Sequence, residues 1–189
     1  FMQFLGLQIG DRVPDEKTIW LFKENLKEYQ LEQQLFDLFT SVLIDHGIVA
    51  KEGSIIDATF VDVPKQHNTR EENADIKKGS IPISFAKKSK KGTYGKLSQK
   101  DTDARWVTKN RERHYGYKDH INVDEKTKII TKFTVTSASS HDSTELENLI
   151  DKKDKRLHAD SAYRSKDIEE YLQKQKCESH VHEKGYRGK

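Results

Sequence analysis

Residues 52–64 read EGSIIDATFVDVP, a β-branched and aromatic run broken by one acid, Asp57. Such a run predicts a strand over 54–62. An ionised carboxylate inside a strand is costly to bury unless it is paired or holds a metal. Residues 155–165, KRLHADSAYRS, repeat the arrangement: a short strand-like segment ends on Asp160 and gives way to small and turn residues. One such acid is a curiosity, whereas two point to a site. The two acids are far apart in the chain, and only a fold with adjacent parallel strands would bring them together.

Outward from these two segments the chain alternates in character. Upstream, Pro14 and Asp15 open a helix over 15–29 with Ile19, Phe22, Leu26 and Tyr29 on one face. A second helix over 31–46 carries Leu31, Leu35, Leu38, Phe39, Val42 and Leu43 and stops at Gly47. The two are expected to pack on each other through these stripes. Between the acids, GYKDHINVD at 116–124 and KIITKFTVTSA at 128–138 flank the turn-like DEKTK and predict an antiparallel hairpin. HDSTELENLI starts a helix, with Asp142 as N-cap and Glu145 completing a capping box. RLHAD is a strand, Ser165 caps a helix bearing Ile168, Tyr171 and Leu172, and CESHVH at 177–182 is a last strand. Residues 65–113 show weak periodicity and read as a long, partly mobile insertion. The expected architecture is α/β: residues 1–50 form a small helical N-terminal segment, and 51–189 form a core with a mixed sheet and flanking helices.

Composition limits the function classes. The charged fraction is 34% and the hydrophobic fraction 33%, polar for a folded domain, yet aromatic and periodic apolar segments argue against wholesale disorder. A single cysteine, Cys177, forms no intramolecular disulfide and fits a reducing compartment. No apolar run is long enough to span a bilayer, which favours a cytoplasmic protein without a membrane partner. Phe1 precedes Met2, so the chain reads as a piece of a longer protein. Net charge is +3, but residues 1–50 are net −4 while 87–118 hold eleven Lys/Arg against three acids, net +8. With Tyr94, Trp106, Tyr115 and Tyr117 interleaved, that block is either the footprint of a polyanion partner or a solvated Lys-rich loop.

The ordered segments resemble a known family. FLGLQIGDRVPDEKTIWLFKENL is similar to the helical N-terminal segment of bacterial insertion-sequence DDE transposases of the insertion sequence four/five superfamily. IIDATFVDVPKQ resembles their first catalytic segment, and DARWVTKNRERHYGYKDHINVD the basic approach to their second strand. TVTSASSHDSTELENLI and HADSAYRSKDIEEYL resemble the segments around their second catalytic acid, and HVHEKGYRGK the strand and linker that follow. The resemblance implies a ribonuclease-H-like core, with Asp57 and Asp160 as the first two acids of a DDE triad. It implies a Mg²⁺ or Mn²⁺ pair, transposon-end and target DNA as partners, a homo-oligomer, and a nucleoid-associated place in the bacterial cytoplasm. The third acid is implied to be a Glu on a helix beyond Lys189. Tyr163, Lys166 and Glu170 mimic the spacing of that motif, but they precede the last strand instead of following it.

Asp oxygens are hard ligands suited to Mg²⁺ or Mn²⁺. Two such ions activate a water and stabilise the leaving oxygen in an in-line phosphoryl displacement. Lys109, Arg111, Arg113 and Lys118 flank the second strand and are the candidates to neutralise DNA phosphates. Cys177, His180 and His182 are too few to define a zinc site. Three readings remain open on sequence: an active transposase; an inactive remnant that only binds DNA or an intact transposase; and an unrelated metal-dependent nuclease of the same fold.

Overall fold

The computed structural model describes residues 3–86, 99–109, 111–183 and 185. The chain divides into two compact units, Phe1–Ile48 and Val49–Lys189.

The first unit holds α1 (Glu16–Glu28) and α2 (Glu32–Asp45). Asp15 caps α1 by accepting from the Thr18 backbone N–H at 2.7 Å. Gly47, at φ +69°, supplies the left-handed residue after α2. Here the structure departs from the sequence reading. α1 buries no side chain and α2 buries only Thr40. Ile19, Phe22, Leu35, Leu38, Phe39 and Val42 stay exposed, so the two stripes do not close into a core.

The second unit is built on a six-stranded mixed sheet: β1 (Ser54–Asp62), β2 (Arg105–Lys109), β3 (Glu112–Asp124), β4 (Ile130–Ser137), β5 (Arg156–Ala159) and β6 (Glu178–Val181). β1 is central. It runs antiparallel to β3 from Ser54↔Asp124 to Asp62↔Gly116, and parallel to β5 from Ser54↔Leu157 to Ile56↔Ala159. β6 extends the parallel half beside β5. β4 forms the expected hairpin with β3.

Residues 65–113 hold more structure than their sequence pattern conveys. α3 (Arg70–Lys77) starts with a capping box between Thr69 and Glu72, and α4 (Ile83–Ala86) follows. β2 then pairs with the first residues of β3, from Arg105↔Gly116 to Lys109↔Glu112. β3 therefore begins at Glu112, earlier than the hydrophobic pattern indicates. Much of the basic block, at 87, 88, 90, 91 and 96, lies outside the described residues.

One face of the sheet carries the core. Ile56, Leu157, Ala159 and Val181 pack against Leu146 and Leu149 of α5 (Leu146–Leu149), and against Ile168 and Leu172 of α6 (Lys166–Gln175). Ser165 caps α6 as read from sequence. The turn before α5 does not follow the sequence reading: Asp142–Glu145 is a 3₁₀ turn whose cap is His141, because the Asp142 carboxylate is engaged elsewhere.

β3 sends polar side chains into this same core. Lys118, His120, Asn122 and Asp124 alternate inward, each 8% exposed or less. Such burial is tolerable only with partners. Asn122 donates to Ser54 Oγ at 2.9 Å and to the Leu149 carbonyl at 2.8 Å, and Ser54 donates in turn to Asp154. Asp124 accepts from the Lys51 N–H and from the Thr127 N–H and hydroxyl. His120 Nε2 meets Thr136 Oγ1 at 2.8 Å.

Candidate active site: an acid pair where two parallel strands part

The last paired residues of β1 and β5 are Ile56 and Ala159. The next residue on each strand is one of the two acids, so Asp57 and Asp160 leave neighbouring strands at the same level. Both are exposed. Each carboxylate is fixed at one oxygen by a nearby backbone N–H: Ala58 donates to Asp57 Oδ1 at 2.8 Å, and Ala162 to Asp160 Oδ1 at 2.8 Å. Asp160 thereby caps a 3₁₀ turn, Ser161–Tyr163. Among the described residues no other donor reaches either carboxylate, so each keeps one oxygen for a ligand.

The donors on offer are hard carboxylate oxygens, which fit Mg²⁺ or Mn²⁺. Among the described residues, however, no group of three or more His, Cys, Asp or Glu side chains converges as a metal cage. Glu170 does not join the pair: it lies on α6, which turns Ile168 and Leu172 to the core, and its partner is Lys166 at 3.8 Å.

A third carboxylate, Asp142, which the sequence reading had taken for a helix cap, is buried. Asp142 accepts from Lys118 Nζ at 2.7 Å, with both side chains only 10% exposed. Lys118 also donates to the Ser140 carbonyl at 2.6 Å. Of the four candidate cations, Lys118 stands apart: its ammonium is nearly buried, with these two acceptors and the Phe60 ring 5.4 Å away around it. Its role was hidden because a lysine in a basic stretch reads as surface. The signal that could have revealed it is its place in the alternation of β3, two residues before His120.

The other three cations stand on the β2–β3 hairpin. Lys109 Nζ lies over the Phe60 ring at 5.6 Å, and that ring stacks on His114 with centroids 4.2 Å apart. Arg111 occupies the turn at φ +71° and is exposed, as is Arg113. Arg113 lines an open pocket of about 440 Å³ with Trp106, Val107 and Thr108. Trp106 is 50% exposed, and Lys65 Nζ sits 5.7 Å from its ring. Tyr117 is half-buried, its hydroxyl donating to Asp101 at 2.7 Å. Tyr115 is buried against Trp106.

A mixed sheet that sets two acids at the ends of adjacent parallel strands has the layout of a DDE domain. The family described as the transposase DDE domain matches residues 50–189, and the chain belongs to it. Among solved structures it is similar to a chain of the piggyBac transposase, determined by cryo-EM as a synaptic complex with hairpin DNA. The identity is 12% and the TM-score 0.38; the match covers 88% of this chain and 30% of that one. No helix among the described residues is long and apolar enough to cross a membrane.

Proposed function

We propose that residues 49–189 form the ribonuclease-H-like catalytic core of a bacterial insertion-sequence transposase, preceded by a helical N-terminal segment. Its reaction is cleavage of DNA at the element's ends and joining of the freed 3′ ends to a target. The observation that carries this reading is the placement of Asp57 and Asp160 directly beyond the last paired residues of β1 and β5, in a chain of the DDE family.

Asp57 and Asp160 would hold the divalent ions through their open carboxylate oxygens. Ions bound there supply an activated water and a counter-charge for the leaving oxygen. Two carboxylates under-coordinate an ion that demands near-octahedral oxygen geometry. The third ligand in this reading is a Glu on a helix downstream of Lys189. Lys109, Arg111 and Arg113 hold the DNA backbone beside the acids, and the working protein is a homo-oligomer in the bacterial cytoplasm, bound at the nucleoid.

The test has two arms. Mn²⁺ titrated into this chain by calorimetry should bind weakly, and Asp57→Ala or Asp160→Ala should remove that binding. Chains ending at Lys189 and chains extended through the downstream Glu helix should then be compared on labelled end DNA. Cleavage by the extended chain alone, lost with either Asp replaced, is the expected outcome. Mn²⁺ binding indifferent to both substitutions would refute the site. Cleavage by the short chain that disappears with Glu170→Gln would give the third acid to α6.

A further inference from the structure

Short helices owe most of their stability to packing of an apolar face, and the helices of the first unit lack that packing. α1 buries no side chain and α2 buries Thr40 alone. Both nevertheless carry apolar residues at helical spacing. Ile19 and Phe22 of α1 share a face with Tyr29 at its C-cap, and Leu35, Leu38, Phe39 and Val42 share one face of α2. Each of these seven side chains is between 44% and 68% exposed.

The area they offer is that of an interface. Aromatic side chains bury about 150–250 Å² each and aliphatic ones less, so at these exposures the seven present on the order of 600 Å² of apolar surface. The largest apolar patch on a monomer is typically about 300–600 Å². One side of a stable dimer buries about 800 Å², a little over half of it apolar. The two stripes therefore supply the apolar share that such an interface needs.

Charge narrows the choice of occupant. Residues 1–50 hold four Lys/Arg against eight Asp/Glu, which disfavours DNA or an anionic membrane as the partner. Within the unit the signs are divided. All four cations, Arg12, Lys17, Lys23 and Lys27, lie before or on α1, whereas α2 carries Glu32, Asp37 and Asp45 and no cation. A two-fold axis that lays α1 of one copy along α2 of the other brings lysines beside acids at the rim while the stripes meet in the middle.

We propose that α1 and α2 form a self-association surface, on which the same two helices of a second copy of this chain dock to close a four-helix core. The inference rests on the homo-oligomer of the proposed function and gives that assembly its contact. The acid pair lies in the other unit and plays no part in it.

The experiment is sedimentation velocity of the 189-residue chain across the micromolar range, repeated with Leu38→Glu and Phe39→Glu combined. Both side chains are more than half exposed, so the substitutions leave each copy's own packing in place, and circular dichroism checks the helix content. The parent should be a dimer, and its dissociation constant should rise at least about 30-fold in the double variant, the scale of a buried interface anchor. A second measurement does not depend on that variant. Cys177 is buried, so Leu35→Cys adds an exposed thiol that a bismaleimide should link into dimers, whereas Lys152→Cys in the second unit should stay unlinked. A parent that is monomeric throughout overturns this inference and the homo-oligomer together. A dimer that survives the two Glu substitutions keeps the homo-oligomer and overturns this surface. Where the double variant loses helix, the cross-link decides alone: a Leu35→Cys chain that stays unlinked overturns the surface.

Discussion

Asp142→Asn isolates the nearly buried ion pair between Lys118 and Asp142. The carboxylate lies 2.7 Å from Lys118 Nζ, and each side chain is 10% exposed, so water screens the pair little. Neutralising Asp142 leaves the Lys118 ammonium buried with the Ser140 carbonyl and an amide oxygen for company. Breaking a buried pair in this way costs about 3–5 kcal/mol. The amide retains an acceptor, so we expect the lower end, about 3 kcal/mol. Lys118→Met should cost a similar amount, because it strands the carboxylate. The double variant Lys118→Met with Asp142→Leu removes both charges together and should come back to within about 1 kcal/mol of the parent. Urea unfolding of these proteins, with the Asp142→Leu single variant added, closes the thermodynamic cycle, provided the slopes of the transitions agree. A loss below about 1 kcal/mol for Asp142→Asn, or a double variant as unstable as the two singles combined, would show that the pair is solvated and does not brace the turn.

Three further expectations follow from other parts of the fold. Replacing Lys109, Arg111 and Arg113 by Ala should weaken DNA binding and reduce the magnitude of the log–log salt slope by up to about 2.7, at about 0.9 per lost phosphate contact; a slope unchanged in fluorescence-anisotropy titrations would locate the interface elsewhere. Burial depresses the His120 imidazole below its ordinary value, against the opposing pull of Asp142 and Glu145. The unfolded chain therefore takes up a proton near pH 6.5 that the folded chain refuses, so stability should fall as pH drops below about 6.5, by at most about 1.4 kcal/mol per pH unit from this group, and His120→Gln should flatten that slope in urea midpoints between pH 5.5 and 7.5. Gly116 sits at φ +150°, where an added Cβ would stand 2.1 Å from the Val61 carbonyl oxygen; Gly116→Ala should cost about 2–3 kcal/mol through strain in the β1–β3 ladder, read as a lowered thermal midpoint.

The parts of this fold that were legible in sequence share a simple physical cause. β1, β4, β5 and β6 are short β-branched or alternating runs bounded by turn residues, and α6 has a serine cap followed by a clean apolar stripe. What was not legible depended on partners distant in sequence. β2 exists because Glu112–Gly116 offers it an edge, and RWVTK alone, inside a basic stretch, does not announce a strand. The inward face of β3 could not be read from hydrophobicity, because it is the polar set Lys118, His120, Asn122 and Asp124 that points into the core. Each is made tolerable by a residue elsewhere: Asp142, Thr136, Ser54 and the Lys51 backbone. Asp142 was misread for the same reason, since an Asp three residues before a Glu fits a capping box whether or not a buried lysine waits across the core. In the N-terminal unit the error ran the other way: strong apolar periodicity in α1 and α2 implied burial that the helices do not achieve.

The position of the acid pair is a consequence of how β1 is paired. On one side β1 is bonded to β3 along its whole length, from Ser54 to Asp62. On the other side its pairing with β5 ends at Ile56, and β5 itself ends at Ala159. Beyond that level β1 continues for six more residues with its β5 side open, while the chain after β5 turns away into the Ser161–Tyr163 turn. A notch therefore opens at the carboxyl ends of the two parallel strands, where the sheet changes from antiparallel to parallel pairing. Open sheets with parallel strands bind ligands in crevices of this kind, outside the carboxyl ends, because backbone groups and side chains there face a gap instead of a neighbour. Asp57 and Asp160 are the first residue on each wall of the notch. The long antiparallel ladder holds one wall fixed. The other is held by three strand pairs to β1, by β6 along its far side and by the cap at Asp160. β5 is thus tied to β1 over a shorter length than β3 is, and the turn that follows it is set by packing: Tyr163 is 1% exposed, and its turn packs on the Asp142 turn that Lys118 braces.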